Sequence, residues 1–388
     1  MSSSPLDRRD FLKTCGAGGA GLGLLPLAGS SRLAESAATL PWQAFNNVSR
    51  HPALFWHVKS GKTTICDLCP SLCEIQPGER GTCGVRENIN GRYTSMIYAR
   101  PCEINLDHME KGPFFHVLPT TMTLGLGFAG CNLDCKYCHS AAFAKTRPEA
   151  TDNHTLSAEG LVRQLVAKGY RSVTFTYSEP MQAIEYVLDV ARLARPQGIM
   201  VLVHTSAHFC LEPFDALCRA VDAINIDLKG FTEDFYKKVT GGSLKPVLTN
   251  IARVRHYPHL WLELTNLVVP GYNDKDSDFI RMCNWIVANC GPDTPLHVSK
   301  FFPEYKFRNV PPTPNDTLKR LRKHAFKAGL RYVYLGNMPG DPSESTFCPK
   351  CGAKMISRVG YDNIRCAEFD PHAGVCTKCG LQIPGIWT

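Results

Sequence analysis

Residues 121–138 read TMTLGLGFAGCNLDCKYC, and the fold turns on how this stretch divides. Residues 121–128 are an apolar, β-prone run. A loop carrying Cys131, Cys135 and Cys138 follows at once. Gly125, Gly127 and Gly130 imitate a dinucleotide fingerprint, but that motif needs its last glycine to open a helix, and here a cysteine-rich loop follows instead. Working outward, apolar β-runs at 172–176, 200–205, 223–228, 261–268 and 296–301 alternate with helical patterns at 157–168, 181–194, 212–220, 245–256, 276–288 and 315–328. Ser157 followed by Glu159 has the look of a capped helix start. Strand–helix alternation implies a parallel sheet. The expected class is therefore α/β: six units in a partial (β/α)6 barrel, with chemistry at the C-terminal ends of the strands.

Composition agrees with a folded chain of two or three domains at about 150 residues each. Of the 388 residues, 44% are hydrophobic and 20% charged, which excludes global disorder and collagen-like or coiled-coil chains. The net charge of +8 comes without a long Lys/Arg run, so no nucleic-acid face is indicated. The 18 cysteines are the informative count, because eleven fall into tight clusters of four, three and four. Such spacing suggests thiolate–metal chemistry. Cys15, Cys102, Cys210, Cys218, Cys283, Cys290 and Cys366 are scattered and read as small buried hydrophobes.

In the central C-x3-C-x2-C loop, three cysteines hold three irons of a [4Fe–4S] cluster and leave the fourth iron open for chemistry. Tyr137 precedes the last cysteine. Here the chain resembles the radical S-adenosylmethionine (SAM) superfamily. The resemblance implies that Cys131, Cys135 and Cys138 bind the cluster and that SAM chelates the open iron. One electron then cleaves SAM to a 5′-deoxyadenosyl radical, which abstracts hydrogen from a substrate. It further implies that Tyr137 lies along the adenine. Thr174, Thr176 and Ser178 share one face of their strand, and Thr-Tyr-Ser-Glu-Pro at 176–180 resembles the family's SAM-binding turn, with Glu179 as the contact. The plain alternative is that Glu179 only caps the next helix. Asn225, Asp227 and Lys229 face into the barrel, where polar groups are costly unless paired or bound to a ligand. Asp227 and Lys229 resemble residues beside SAM in glycyl-radical activases; a buried ion pair is the alternative. At 204–205 the family often has Asn-Gly, so His204-Thr205 departs from it; Thr205 is kept as a cofactor contact. His204 and His208, four apart in a strand-to-loop transition, do not suit zinc. His139 matches a Cys-His pattern of the activases, but Ser140 replaces their Asn.

Two further cysteine sets flank the core. Cys66, Cys69, Cys73 and Cys83 could close a zinc site, hold a second iron–sulfur cluster, or form two disulfides. Cys348, Cys351, Cys376 and Cys379 form two C-x2-C-G knuckles that read as a zinc ribbon, with a rubredoxin-like iron site as the alternative. The expected organisation is residues 1–38 as a twin-arginine-type signal, 39–120 as an N-terminal four-cysteine domain, 121–340 as the radical SAM core, and 341–388 as the ribbon-like tail. Arg8-Arg9 followed by Phe11-Leu12-Lys13 carries the signal reading, which suggests export to the periplasm. The need for SAM and a low-potential electron donor suggests the cytoplasm. The weakly apolar segment that follows is too short and Gly-rich for a membrane span.

Residues 66–87, 130–138, 176–180, 222–236, 269–271, 299–306, 311–314, 332–340 and 383–387 together, within a span of 55–388, resemble the radical SAM enzyme of the AmmeMemoRadiSam system, similar also to pyruvate formate-lyase activating enzymes. This resemblance implies Memo-type and AMMECR-domain protein partners. The substrate stays open, with activation of a glycyl-radical enzyme as one alternative. A non-catalytic metal scaffold or electron-transfer protein is the alternative of another class.

Overall fold

The structure, a computed structural model, describes residues 48–361 and 363–388. The twin-arginine reading of residues 1–38 and Cys15 lie outside them. Among the described residues no helix is long and apolar enough to cross a membrane.

The N-terminal part forms two small antiparallel sheets. Strands β1 (His51–Pro52), β2 (Trp56–Ser60), β3 (Thr63–Cys66), β4 (Glu74–Ile75), β5 (Arg86–Ile89) and β6 (Arg92–Ser95) order as β1-β6-β5 and β2-β3-β4. A single eight-stranded sheet follows. Its strands are β7 (Glu103–His108), β8 (Met122–Gly127), β9 (Ser172–Phe175), β10 (Met200–Thr205), β11 (Ala223–Asp227), β12 (Trp261–Val268), β13 (Leu296–Lys300) and β14 (Val333–Gly336), paired in chain order. Strands β8 to β14 are parallel and β7 is antiparallel to β8.

This corrects the six-unit count: there are seven parallel strands, and β7 and β14 were not read from the sequence. β14 is only four residues long, and β7 reads as a polar, alternating stretch. Pairing of β7 with β8 also carries the core sheet back across the expected boundary at residue 120.

Helices α1 (Ala158–Ala167), α2 (Ile184–Ala194), α3 (Leu211–Ala220), α4 (Leu244–Arg253), α5 (Asp276–Cys290) and α6 (Asn315–Lys327) connect the parallel strands. Helix α1 starts at Ser157, whose hydroxyl accepts from Gly160 N at 3.0 Å. Helix α2 shows why these segments pack. Ile184, Val187, Ala191 and Ala194 recur at helical spacing and are buried. The interior strands are apolar on both faces at their starts, as expected where a parallel sheet is covered.

The tail adds β15 (Thr346–Phe347), β16 (Lys354–Val359) and β17 (Asn363–Cys366) as one sheet, and β18 (Phe369–Asp370) with β19 (Val375–Cys376) as another. It is seated on the core by a parallel bridge between Val117 and Ile386 and by a second apolar cluster containing Phe115, Tyr334, Met355, Phe369 and Trp387. Of the scattered cysteines, Cys102, Cys218 and Cys283 are buried, and Cys210 and Cys290 are half-buried. Cys366 is exposed, against expectation, because it ends an edge strand whose residues are mostly open to solvent.

Candidate functional site

A cavity of about 480 Å³ is lined by residues at the ends of β8 to β14, together with the loop that follows β8. Cys131, Cys135 and Cys138 all lie on its wall. The loop that carries them is fixed by backbone bonds from Asp134 N to Thr240 O (2.7 Å) and from Lys136 N to Val239 O (3.0 Å). Asn132 Nδ2 donates to His208 O at 2.7 Å. The loop begins at Gly130, whose φ of +82° favours glycine; a Cβ there would stand 2.6 Å from Cys83 O and 2.4 Å from Val85 Cγ1. Gly125 and Gly127 serve close approach too, since a Cβ on either would strike the Tyr177 ring. The glycine pattern is therefore a packing surface, and a dinucleotide turn is absent.

The spacing of the thiols separates them by kind. Among the described residues, the tail four are the group whose ligand atoms all lie within 4.8 Å of one another. Cys348 and Cys379 sulfurs are 3.6 Å apart and those of Cys351 and Cys376 are 3.7 Å apart. A single tetrahedral ion with ~2.3 Å metal–sulfur bonds sets its sulfurs ~3.8 Å apart. The three cavity thiols are spread more widely, as a multi-iron body requires. Burial pushes the Cys131 thiol up to about 12 and raises Cys135 as well, with Lys229 the largest opposing influence on Cys135. Three thiols on one cavity wall fit the ligand set that would hold a [4Fe–4S] cluster.

Glu179, two per cent exposed, is the centre of a second group. It accepts from Thr205 Oγ1 (2.5 Å), Ser206 N (2.9 Å), Ser206 Oγ (2.6 Å) and Met181 N (3.3 Å). A carboxylate has about four acceptor sites, so all are in use. Burial raises the Glu179 carboxyl, against which these bonds act. Glu179 thus caps the short turn of Pro180–Ala183 and also ties the end of β9 to the end of β10. Ser178 Oγ donates to Phe128 O at 2.7 Å and accepts from Phe128 N, which fixes the approach to the cysteine loop. Thr176 lies on the cavity wall, its amide bonded to Leu126 O. Ser206 was not singled out from the sequence; only its neighbour Thr205 was.

At the end of β11, Lys229 Nζ lies 2.7 Å from Asp227 Oδ2, and His204 Nε2 lies 3.1 Å from Asp227 Oδ1. Burial alone would raise the Asp227 carboxyl, but Lys229 and then His204 hold it well below the usual carboxylate range. Burial would likewise lower the Lys229 ammonium, but Asp227 and then Cys135 hold it well above its usual value. Asn225 is used elsewhere: it donates to Pro113 O and accepts from Thr265. Tyr137 is buried on the cavity wall with its hydroxyl unpartnered, and its ring centroid lies 6.4 Å from that of Phe307. His139 also lines the cavity, and burial lowers its imidazole. His208 bonds Ser243 and not His204, so the two histidines are not paired.

Several cavity residues carry no sequence motif. Asp107 on β7 accepts from the Tyr177 hydroxyl. Glu110 and Glu344 both line the cavity, and each has a buried carboxylate oxygen without a partner. Burial raises both carboxyls. Arg358, fully buried, reaches Glu110 Oε1 at 3.4 Å and donates to Phe115 O at 2.8 Å. The cavity therefore has an acidic side shared between the segment after β7 and the tail. These residues are far apart in sequence and meet only in the fold.

In the N-terminal part, Cys66 and Cys69 are buried, and Cys73 and Cys83 half-buried. None of the described cysteines forms a disulfide.

Residues 127–285 match the model of the Radical SAM superfamily. An uncharacterized protein, MJ0808, of Methanocaldococcus jannaschii is 38% identical over 331 residues, covering 85% of this chain and 98% of that protein. The pyruvate formate-lyase-activating enzyme of Clostridium pasteurianum is 25% identical, covering 51% of this chain and 87% of the enzyme. A solved structure of Streptococcus suis SuiB bound to S-adenosylmethionine aligns with a TM-score of 0.45 at 12% identity, over 59% of this chain and 53% of SuiB.

Proposed function

We propose, from the premise that this chain belongs to the radical SAM superfamily, that its cavity binds SAM beside a [4Fe–4S] cluster held by Cys131, Cys135 and Cys138. The observation that carries the reading is that these three thiols share one cavity wall with the ends of β9, β10 and β11. When bound, the cluster supplies the electron that splits SAM into methionine and a hydrogen-abstracting 5′-deoxyadenosyl radical. The chain's own residues bind and orient the cofactor. In this reading Lys229, held charged by Asp227, offers a cation to SAM's carboxylate or ribose, and Tyr137 flanks the adenine. Thr176, Ser178 and Thr205 border the methionyl end. Glu179 contacts the amine only by releasing one of its present donors, of which the Thr205 and Ser206 hydroxyls can rotate away. Otherwise it acts through the strand ends that it ties together.

The open sheet is read as a partial barrel, since side chains from β8 to β14 converge on one cavity. Zinc suits the tail, from its sulfur spacing. Relatives named as activating enzymes make a glycyl-radical-enzyme activase one candidate role. The added cysteine part and tail favour a different substrate, acted on within an AmmeMemoRadiSam-type system with Memo-type and AMMECR-domain partners. The twin-arginine signal and the ribbon-like tail from residue 341 are proposed with it, the core being extended back to β7.

The test is anaerobic. Iron and sulfide are reconstituted into the chain, then SAM and dithionite are added and 5′-deoxyadenosine is measured. Product from the wild type and none from Cys135→Ala is expected. Equal product from both, or none from a fully loaded wild type even with the partner proteins added, overturns the reading.

A further inference from the structure

Cys66, Cys69, Cys73 and Cys83 are brought together by short-range folding. Cys66 ends β3 and its amide donates to Cys73 O at 3.0 Å. Leu72 N donates to Cys69 O at 3.0 Å, so the chain turns tightly between the second and third thiols. Thr82 N approaches Cys73 Sγ at 3.5 Å, which brings the Cys83 turn onto the same place. Four free thiols so gathered, two of them buried, are a ligand set without a described ligand. Beside them stands Arg86, fully buried, close enough to feel both Cys66 and Cys83. Its guanidinium bonds Glu185 at 2.6 Å and Leu54 O at 3.0 Å, but its Nε is buried with no partner. A buried donor left unpaired is costly unless something accepts from it.

The sulfur spacing sets these thiols apart from those of the tail. In the tail, four thiols sit within 4.8 Å of one another, as one tetrahedral ion demands. No three of the N-terminal thiols do so. In this they match Cys131, Cys135 and Cys138, the thiols assigned to a multi-iron cluster, and differ from the tail. The inorganic sulfides of such a cluster would also accept the stranded Arg86 donor, a kind of bond that tunes cluster potentials.

The location is as telling as the spacing. The backbone of Cys83 lies directly against Gly130, so that even a methyl group there would meet Cys83 O at 2.6 Å. Gly130 is bonded to Cys131. The two thiol-bearing loops thus meet backbone against backbone.

We propose that Cys66, Cys69, Cys73 and Cys83 hold a second iron–sulfur cluster that delivers single electrons to the cluster in the cavity. This rests on the reading of Cys131, Cys135 and Cys138 given above. The balance is simple. A low-potential one-electron donor, of the reduced ferredoxin class, reduces the N-terminal cluster by one electron. That electron moves on to the cavity cluster, restoring the first to its oxidised state, and is consumed when the sulfonium–carbon bond of SAM breaks.

The experiment uses the full chain, purified and reconstituted without oxygen. Iron, sulfide and zinc are counted per chain, and the dithionite-reduced protein is examined by electron paramagnetic resonance. The wild type is expected to hold iron and sulfide beyond one cluster, about eight irons if both are [4Fe–4S], with about one zinc from the tail. Its spectrum is expected to show the broadening of two interacting paramagnets. Cys69→Ser/Cys73→Ser should lose the extra iron and the broadening while keeping the cavity cluster's signal. Cys131→Ala/Cys135→Ala should keep the N-terminal cluster alone. Wild-type protein with a single cluster's iron and two zincs overturns the proposal and leaves the SAM reading intact. A Cys131→Ala/Cys135→Ala variant with all its iron overturns the SAM reading, and with it the relay. Should the N-terminal double variant fail to fold, the wild-type metal count and spectrum decide alone.

Discussion

The tail and the cavity loop use the same side chain to opposite ends. In the tail, four cysteine sulfurs face one another at 3.6 and 3.7 Å, packed among Met355, Phe369 and Trp387 and away from the cavity. In the loop after β8, three cysteines sit on the wall of a 480 Å³ cavity with a lysine, an aspartate and a histidine close by. A site with every ligand supplied by the protein has nothing left to offer a substrate. A site one ligand short, opening on a cavity, does. Ligand count and surroundings, more than residue type, separate structure from chemistry.

The widest separation between the two should come from single cysteine changes. Cys135→Ala is expected to remove SAM cleavage by at least about a hundredfold, a loss of ~2.7 kcal/mol or more of barrier lowering. Its thermal midpoint should move little. Cys376→Ala should do the reverse: the tail loses its metal and the midpoint falls, because metal-binding energy there is folding energy. SAM cleavage per folded chain should stay within about threefold. Paired 5′-deoxyadenosine assays and thermal melts check both. Equal activity losses in the two variants would break the comparison.

How much of this was legible in the sequence follows from the range of the contacts. The parallel strands were legible because interior strands such as β10 and β12 are rich in apolar and β-branched residues, β10 opening with four apolar residues in a row and β12 being broken only by Glu263, Thr265 and Asn266. The short β14 and the polar β7 were not, since four residues or an alternating edge carry little signal. The cysteine sets were legible from local spacing, and Asp227 and Lys229 from the period of two on β11. The acidic side of the cavity was not. Glu110 and Arg358 meet across 248 positions of chain, and no local pattern announces such a meeting. Nor could the sequence say that Glu179 would be saturated with donors, since Ser206 reaches it only once β9 and β10 are paired side by side. Cys366 was misread because the expectation that cysteines are buried ignores position on an edge strand.

An effect on stability alone tests the third thiol region, which is held to the core by an ion pair. Arg86 and Glu185 are both fully buried and 2.6 Å apart. They join the N-terminal sheet to α2. Glu185→Gln leaves the guanidinium without its counter-charge and should cost about 3–5 kcal/mol, the usual penalty for breaking a buried pair from one side. The exposed pair of Arg320 with Asp276 is the control; removing it should cost less than ~1 kcal/mol. Urea unfolding of the reconstituted chain measures both. A loss below ~1 kcal/mol for Glu185→Gln would mean that the N-terminal part is not fixed to the core through this pair.

The mildest effect concerns how the tail is seated. His116 Nδ1 lies 2.7 Å from Pro384 O, a carbonyl that can only accept, so this nitrogen carries the proton. Nε2 must then accept from the Tyr334 hydroxyl, also at 2.7 Å. One neutral imidazole thus joins the segment after β7, the core strand β14 and the end of the tail. Burial lowers its pKa to about 4, with Glu263 opposing and Arg358 and His297 adding to the shift. The unfolded value is about 6.5. Between these values the unfolded chain takes up a proton that the folded chain refuses. Stability from this group is therefore complete above pH 6.5, falls by at most ~1.4 kcal/mol per pH unit on acidification, and is gone below about 4. The raised carboxyls of Glu110 and Glu179 act in the opposite sense, because the folded chain binds their protons more readily. The measurement is thus a difference: urea unfolding of wild type and His116→Gln at pH 7 and pH 5. The wild type should lose more than the variant. Parallel slopes would show that His116 does not set the pH dependence of the tail's seat, which the apolar contacts around Trp387 would then hold.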